Sequence, residues 1–159
     1  PPVKRRGAKS GNIAIVFVMA KGGDRENQPA TANEFLGPLT ASIYKNGAGL
    51  SVKGLAYRPE DVDRTVRELS KKNSPYALIV KSTLFLSQLA PYNGLEIYEA
   101  NGSLELIDTD TGKTILTDHI SRQRGFGNTR DQARRNAVRS AAEGVSNSFI
   151  LKLVADAYE

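Results

Sequence analysis

The chain has 159 residues, of which 40% are hydrophobic and 25% charged. That describes one globular domain with enough apolar material for a core, and excludes disordered and fibrous classes. It contains no cysteine, which removes disulfide scaffolds, zinc–thiolate sites and thiol nucleophiles, and its net charge of +5 suits a polyanionic partner, although the interspersed acids make solubility the simpler account.

No run approaches the roughly 18 consecutive apolar residues of a membrane span. No signal peptide is visible, and the chain opens on Pro1 rather than Met. It is therefore expected to be a mature or trimmed fragment, from which any export signal would have been removed.

Residues 1–11 are rich in Pro, Lys, Arg, Gly and Ser without apolar periodicity. They read as a flexible lead-in whose Lys4-Arg5-Arg6 is a solvated run. Asn12-Ile-Ala-Ile-Val-Phe-Val-Met19 is nearly continuous in apolar residues, the pattern of a central strand covered on both faces. Lys21-Gly-Gly-Asp24 lacks the spaced Gly-Lys-Ser/Thr of a phosphate loop. Thr31 or Asn33 is placed to cap a helix bearing Phe35, Leu36, Leu39, Ile43 and Tyr44 on one face. Pro38 then falls in its first turn or two, and Asn46-Gly47 stops it. A short strand over residues 50–55 follows. Arg58-Pro59-Glu60-Asp61 opens a second helix, since Pro and acids are both favoured in a first turn. Val62, Val66 and Leu69 are its buried stripe and Lys71-Lys72-Asn73 closes it.

Residues 76–87, 93–108 and 113–123 are three further strands, the last two joined by the turn sequence Asp108-Thr-Asp-Thr-Gly112. Arg124-Gly-Phe-Gly-Asn128 reads as a flexible joint. The closing helix begins at Thr129, which with Gln132 makes a Thr-x-x-Gln capping box. Ala133, Ala137, Ala141 and Val145 recur every fourth residue, with Val138 and Phe149 beside them, and such small side chains let a helix lie close on a sheet. Arg130, Arg134, Arg135 and Arg139 fall largely on another face and are expected to be exposed. They are the candidate partner-binding residues.

The order β-α-β-α-β-β-β-α predicts an α/β (α+β) domain over residues 12–154 with a tail at 155–159. Its mixed sheet has a parallel start, an antiparallel three-strand meander, and helices packed on it.

Little in this plan points to a reaction. His119 is the only histidine; it lies in the last strand with no second metal ligand or nucleophile pattern about it, and reads as structural. Asp108-x-Asp110-x-Gly112 is like the head of a calcium loop, but the acid that should close the loop falls at His119, so a tight hairpin is expected. Gly125-Phe-Gly127 precedes a helix start, where backbone N–H groups bind anions, yet Arg130 takes the place of the third glycine of the dinucleotide fingerprint. Glu96, Glu99 and Glu105 show no convergence. The tyrosines are scattered rather than interleaved with cations as in a stacking platform. No catalytic residue, metal or cofactor is expected.

Three segments carry a family resemblance: Tyr76-Ala-Leu-Ile-Val-Lys-Ser82, Gly102-Ser-Leu-Glu-Leu-Ile-Asp-Thr-Asp-Thr-Gly-Lys-Thr-Ile-Leu116 and Gly127-Asn-Thr-Arg-Asp-Gln-Ala-Arg-Arg-Asn-Ala137. Together they resemble a recurrent bacterial envelope module. It is found in the amino-terminal domain of TolB, the middle domain of flagellar assembly protein T, and the curli-assembly and penicillin-binding-protein-activator lipoproteins. Those families place a strand ending in Asp-x-x-Thr-Gly-x-x-Ile/Val before a Gly-rich joint and an Ala-rich helix. The match covers residues 12–153 in element order and 76–142 in recognisable residues. The resemblance implies a periplasmic, non-enzymatic part of the Gram-negative envelope that docks to other envelope proteins, with peripheral outer-membrane association. The Cys that anchors the lipoprotein members is absent from these residues.

The alternative is a nucleic-acid binder. A helix, three antiparallel strands and a terminal helix is also the plan of a double-stranded-RNA-binding domain, and residues 127–137 resemble the start of that family's last helix. Thr129, Asp131 and Gln132 dilute the cation cluster that such a helix start needs, and the leading β-α-β has no place in that fold.

Overall fold

The computed structural model describes residues 12–19, 28–46, 51–57, 62–70, 75–76 and 78–157. Eight elements follow one another: β1 (Asn12–Met19), α1 (Gln28–Asn46), β2 (Ser51–Tyr57), α2 (Val62–Leu69), β3 (Leu78–Tyr92), β4 (Leu95–Asp108), β5 (Thr114–Gly127) and α3 (Arg130–Ala157). The strands form one sheet in the order β2-β1-β3-β4-β5. β1 runs parallel to β2 and to β3, and β3, β4 and β5 are antiparallel neighbours. A mixed sheet with an antiparallel three-strand meander is thus the core of the domain. The lead-in 1–11, Lys21-Gly-Gly-Asp24, residues 58–61 and residues 71–73 lie outside the described residues.

Period-two alternation divides the sheet between two layers. Leu78, Val80, Leu84 and Leu86 of β3 and Tyr98, Ala100, Leu104 and Leu106 of β4 pack with Phe35, Leu36 and Leu39 of α1 and with the alanines of α3. Ile79 and Ile107 turn the other way and meet Val66, Leu69 and Tyr76. So α1 and α3 share one face and α2 covers part of the other. The two crossovers travel in opposite directions across β1, and equal handedness then requires helices on opposite faces. The side chains of Ile43, Tyr44, Val62 and Phe149, expected among the apolar faces, are not among those described.

Several local expectations need correcting. α1 begins at Gln28, so Thr31 is no cap but a fully buried residue inside the helix. Pro38 lies in mid-helix rather than near the start. Its ring has no N–H for the Glu34 carbonyl, and nearby the Thr40 hydroxyl donates to the carbonyls of Leu36 and Gly37 at 2.7 and 2.9 Å. α3 runs through Ala157, into the segment expected as a tail. Residues 93 and 94 belong to no strand. They form the β3–β4 turn with φ of 51° and 76°, the left-handed pair that a two-residue type I′ hairpin requires and that Asn-Gly tolerates best.

The Asp108–Gly112 segment is a hairpin turn. Asp108 and Lys113 close it through a backbone bond of 3.0 Å, Gly112 N–H donates to the Asp108 carbonyl at 2.8 Å, and Asp110 N–H donates to Asp108 Oδ1 at 2.8 Å. The Asp108 carboxylate is thus used by the turn itself, an Asx-turn rather than a calcium ligand set.

The largest correction concerns Arg124-Gly-Phe-Gly-Asn128. β5 continues through Gly127 and pairs Gly125 with Tyr98 and Gly127 with Glu96. These glycines are not a flexible joint. A Cβ on Gly125 would run into the backbone of Ala133 and Ala137, so glycine there is what lets α3 press its own main chain against the strand. β5 also carries a bulge. Ser121 and Arg122 together oppose Asn101, Arg122 takes a φ of 28°, and its N–H donates to Asn101 Oδ1 at 3.0 Å.

Candidate functional site

The four arginines of α3 are fixed by how that helix starts and what it packs on. Gln132 N–H donates to Thr129 Oγ1 at 3.1 Å and Ala133 N–H to the Thr129 carbonyl at 3.0 Å, which makes Thr129 the cap. The return bond runs from Asn128 N–H to Gln132 Oε1 at 2.8 Å, one residue earlier than in a standard capping box. Asn136 Nδ2 donates to the Phe126 carbonyl at 2.7 Å and stitches the second turn to β5.

Below this start the apolar arc is wide. Ala133, Ala137, Val138, Ala141, Ala142 and Val145 are all buried. At about 100° per residue, Arg134 falls in the middle of that arc. It is 3% exposed, and the expectation that it lies with the surface arginines is wrong. α3 is covered not only by the sheet but also by α1, and Arg134 faces that helix. Its Nη1 donates to Thr31 Oγ1 at 2.7 Å and to Glu34 Oε2 at 3.0 Å; its Nη2 donates to Asp131 Oδ1 at 3.0 Å. Burial by itself would lower the Arg134 pKa. The bonds to Asp131 and Glu34 outweigh it and hold the guanidinium above its ordinary range. Arg134 Nε is buried without a hydrogen-bond partner.

The other three stay outside. Arg130 is exposed, Arg135 is half-exposed and ion-paired with Asp131 Oδ2 at 3.2 Å, and Arg139 is exposed one turn further on. The arrangement leaves a row, Arg135 then Arg139, along the solvent side of α3, while Asp131 balances Arg134 and Arg135 in the first turn. Among the described residues no ion pair involves Arg130 or Arg139.

The remaining polar candidates do not converge. Glu99 accepts from Asn101 Nδ2 and from Arg124 Nε, both at 3.2 Å, and the Asn101 bond first and the Arg124 bond second hold its carboxyl below the usual range. Glu105 stands opposite Lys81, whose Nζ is 3.8 Å from Glu105 and 3.7 Å from Asp63. Among the described residues no group of three or more His, Asp or Glu is placed to hold a metal. His119 is exposed at the rim of a shallow groove of about 180 Å³, lined by Ile120, Ser121 and Gln123 of β5 and Ala141, Gly144 and Val145 of α3.

One surface escaped sequence reasoning. Leu89, Ile97 and Phe126 form a cross-strand row on the sheet face away from α1 and α3, and Tyr92 pairs with Leu95 just beyond it. Phe85, Tyr92, Leu95 and Phe126 are exposed. The Asn93-Gly94 dipeptide was the available signal, since it marks a hairpin tip between apolar runs.

No family model matches this chain, and no curated protein matches it in sequence. Solved structures match it in fold. One is a neuraminyllactose-binding hemagglutinin homologue from Helicobacter pylori, at 14% identity over 96% of this chain and 89% of that one, with a TM-score of 0.52. Another is a minor lipoprotein from Acinetobacter baumannii, at 7% identity over 88% and 92%, with a TM-score of 0.50. A dodecamer of PelC from Paraburkholderia phytofirmans aligns at 9% identity over 92% and 93%, with a TM-score of 0.49. At these identities the likeness to the first two is one of fold, extending over nearly the whole of each chain.

Proposed function

We propose that this chain is a non-enzymatic protein-interaction and assembly module of the Gram-negative periplasm. It is of the kind represented by the TolB amino-terminal domain, the flagellar assembly protein T middle domain and the envelope lipoproteins. Its partners are other envelope proteins, and its contact surface is the outer row of α3, Arg135 and Arg139 with Arg130 at the helix start. The observation that carries the proposal is the rigid mounting of that row. Gly125 seats α3 on β5, Arg134 ties it to α1, and the exposed guanidinium groups are left facing solvent. The fold shared with a minor lipoprotein supports the envelope setting.

The test is a cross-linking pull-down from periplasmic extract with the whole chain and with Arg135→Glu plus Arg139→Glu as baits. Partners captured by the first and lost by the second support the assignment. An unchanged set clears this face. Tight binding of double-stranded RNA at low salt, weakening steeply as salt rises, overturns the assignment, because several phosphate contacts would then be in play.

A further inference from the structure

The chain holds three Asn-Gly pairs, at residues 46–47, 93–94 and 101–102. In such a pair the backbone nitrogen of the glycine can attack the side-chain amide before it, because glycine has no side chain to obstruct the approach. The attack closes a cyclic imide, so it needs both groups free and a backbone able to rotate. The fold treats the second and third pairs in opposite ways.

Asn101-Gly102 is locked. It lies inside β4, with Asn101 opposite Phe85 and Gly102 between Leu84 and Ile120. Asn101 Nδ2 donates to Glu99 Oε1 at 3.2 Å, and Asn101 Oδ1 accepts from Arg122 N–H at 3.0 Å. A Cβ on Gly102 would run into the Thr83 carbonyl, so the main chain there has no room to turn. Bringing the Gly102 nitrogen onto the Asn101 amide therefore requires the middle strand of the meander to leave the sheet.

Asn93-Gly94 is the converse. Both residues are exposed, and a Cβ on Gly94 would touch nothing. Among the described residues neither the Asn93 amide nor the Gly94 N–H is hydrogen-bonded. The turn, with its φ of 51° and 76°, fixes the pair and has to open before the attack. Regular β3–β4 pairing stops at Leu89 and Ile97, and beyond the irregularity only Tyr92 and Leu95 close the tip. That single pair can part without unzipping the sheet, a local opening of low cost.

We propose that Asn93 is a site of spontaneous deamidation, a one-way modification of the β3–β4 tip whose only co-reactant is water. The Gly94 nitrogen loses its proton and bonds to Asn93 Cγ. The Cγ–Nδ2 bond breaks, and Nδ2 takes up a proton and leaves as ammonia. One water then opens the imide. Opening at Cγ leaves aspartate at position 93; opening at the backbone carbonyl leaves isoaspartate, with the chain running through Cγ. Either product puts a carboxylate into residues 82–95, which carry no charge. Isoaspartate also lengthens the backbone of a turn built for two residues, so it should cost the Tyr92–Leu95 pair as well.

The test holds the full chain in mildly alkaline buffer, folded and in urea, and samples both over time. Cleavage at glutamates puts the two pairs in separate peptides, because Glu96 and Glu99 lie between them. Mass spectrometry reads the exchange of an amino group for a hydroxyl in each, and isoaspartyl methyltransferase labels the isoaspartate. In the folded chain Asn93 should convert at least about a hundredfold faster than Asn101, since opening a hairpin tip is far easier than opening a central strand. In urea the two should convert at similar rates. Asn93→Gly, which suits the same turn, should lose the early product and keep the circular dichroism spectrum. Equal rates at Asn93 and Asn101 in the folded chain overturn the proposal. So does an Asn93 that stays intact in the folded chain while both convert in urea.

Discussion

Arg134 and Glu34 lie 100 residues apart in sequence and meet at 3.0 Å, Nη1 to Oε2, joining the last helix of the domain to the first. The pair is asymmetric. The Arg134 side chain is 3% exposed and that of Glu34 27%, so only the carboxylate keeps some water. Removing Glu34 leaves a buried cation with Asp131 and Thr31 alone; removing Arg134 leaves carboxylates that solvent reaches. Glu34→Ala should therefore cost about 2 kcal/mol, and Arg134→Met, which keeps the volume, should cost less. Urea melts of the two variants decide the order.

Gly125 predicts a sharper loss. Gly125→Ala puts a methyl into the backbone of Ala133 and Ala137, and neither main chain has anywhere to go. A cost of about 3 kcal/mol is expected, at the upper end of overpacking effects. Ala137→Leu and Ala141→Leu push on the same contact and should cost on the order of 1–3 kcal/mol. Thermal melts measure all three. A melting point for Gly125→Ala equal to that of the parent chain would show that α3 does not press on β5.

Glu99 carries a pH signature. Its carboxyl is held low by Asn101 and then by Arg124, so its contribution to stability is present above the unfolded carboxylate pKa and is lost as pH falls through the folded value. Carboxyl-carbon NMR should find Glu99 titrating below the ordinary glutamate range. Asn101→Ala and Arg124→Ala should each move it upward, the first by more.

The turn at Asn93-Gly94 sets a smaller cost. Gly94 holds a φ of 76° with open space around its Cα, so Gly94→Ala meets no neighbour and suffers only the left-handed backbone. About 1 kcal/mol is expected, read from chemical denaturation, without loss of the β3–β4 pairing.

What the sequence disclosed was local. The alanine stripe of α3 and the Thr129 cap depend on residues three or four apart, and the Asp108–Gly112 turn depends on its own Asp and Gly; all three could be read without knowing where the rest of the chain goes. Arg134 could not be read that way. Its burial is decided by α1, and a helix buried on two sides hides a wider arc than one i, i+4 stripe suggests. The Arg124–Gly127 segment misled for a related reason: glycine is poor in strands by propensity, and only the approach of a helix explains why this strand needs it. For α1, Thr31 has the chemistry of a cap, but its hydroxyl serves Arg134 instead. Of the four arginines, three stand at the surface as their positions predicted, and the fourth is a tie within the core.

The bulge at Ser121 and Arg122 bears on how copies of the domain meet. β5 is the last strand in the order of the sheet, and a long outer strand is a template for uncontrolled polymerisation. A newcomer aligning with residues 114–120 would lose step at the bulge, where two residues occupy the length of one, and would face the charges of Arg122 and Arg124 beyond it. The irregularity thus works as a stop, disfavouring continued edge-to-edge pairing past residues 121 and 122.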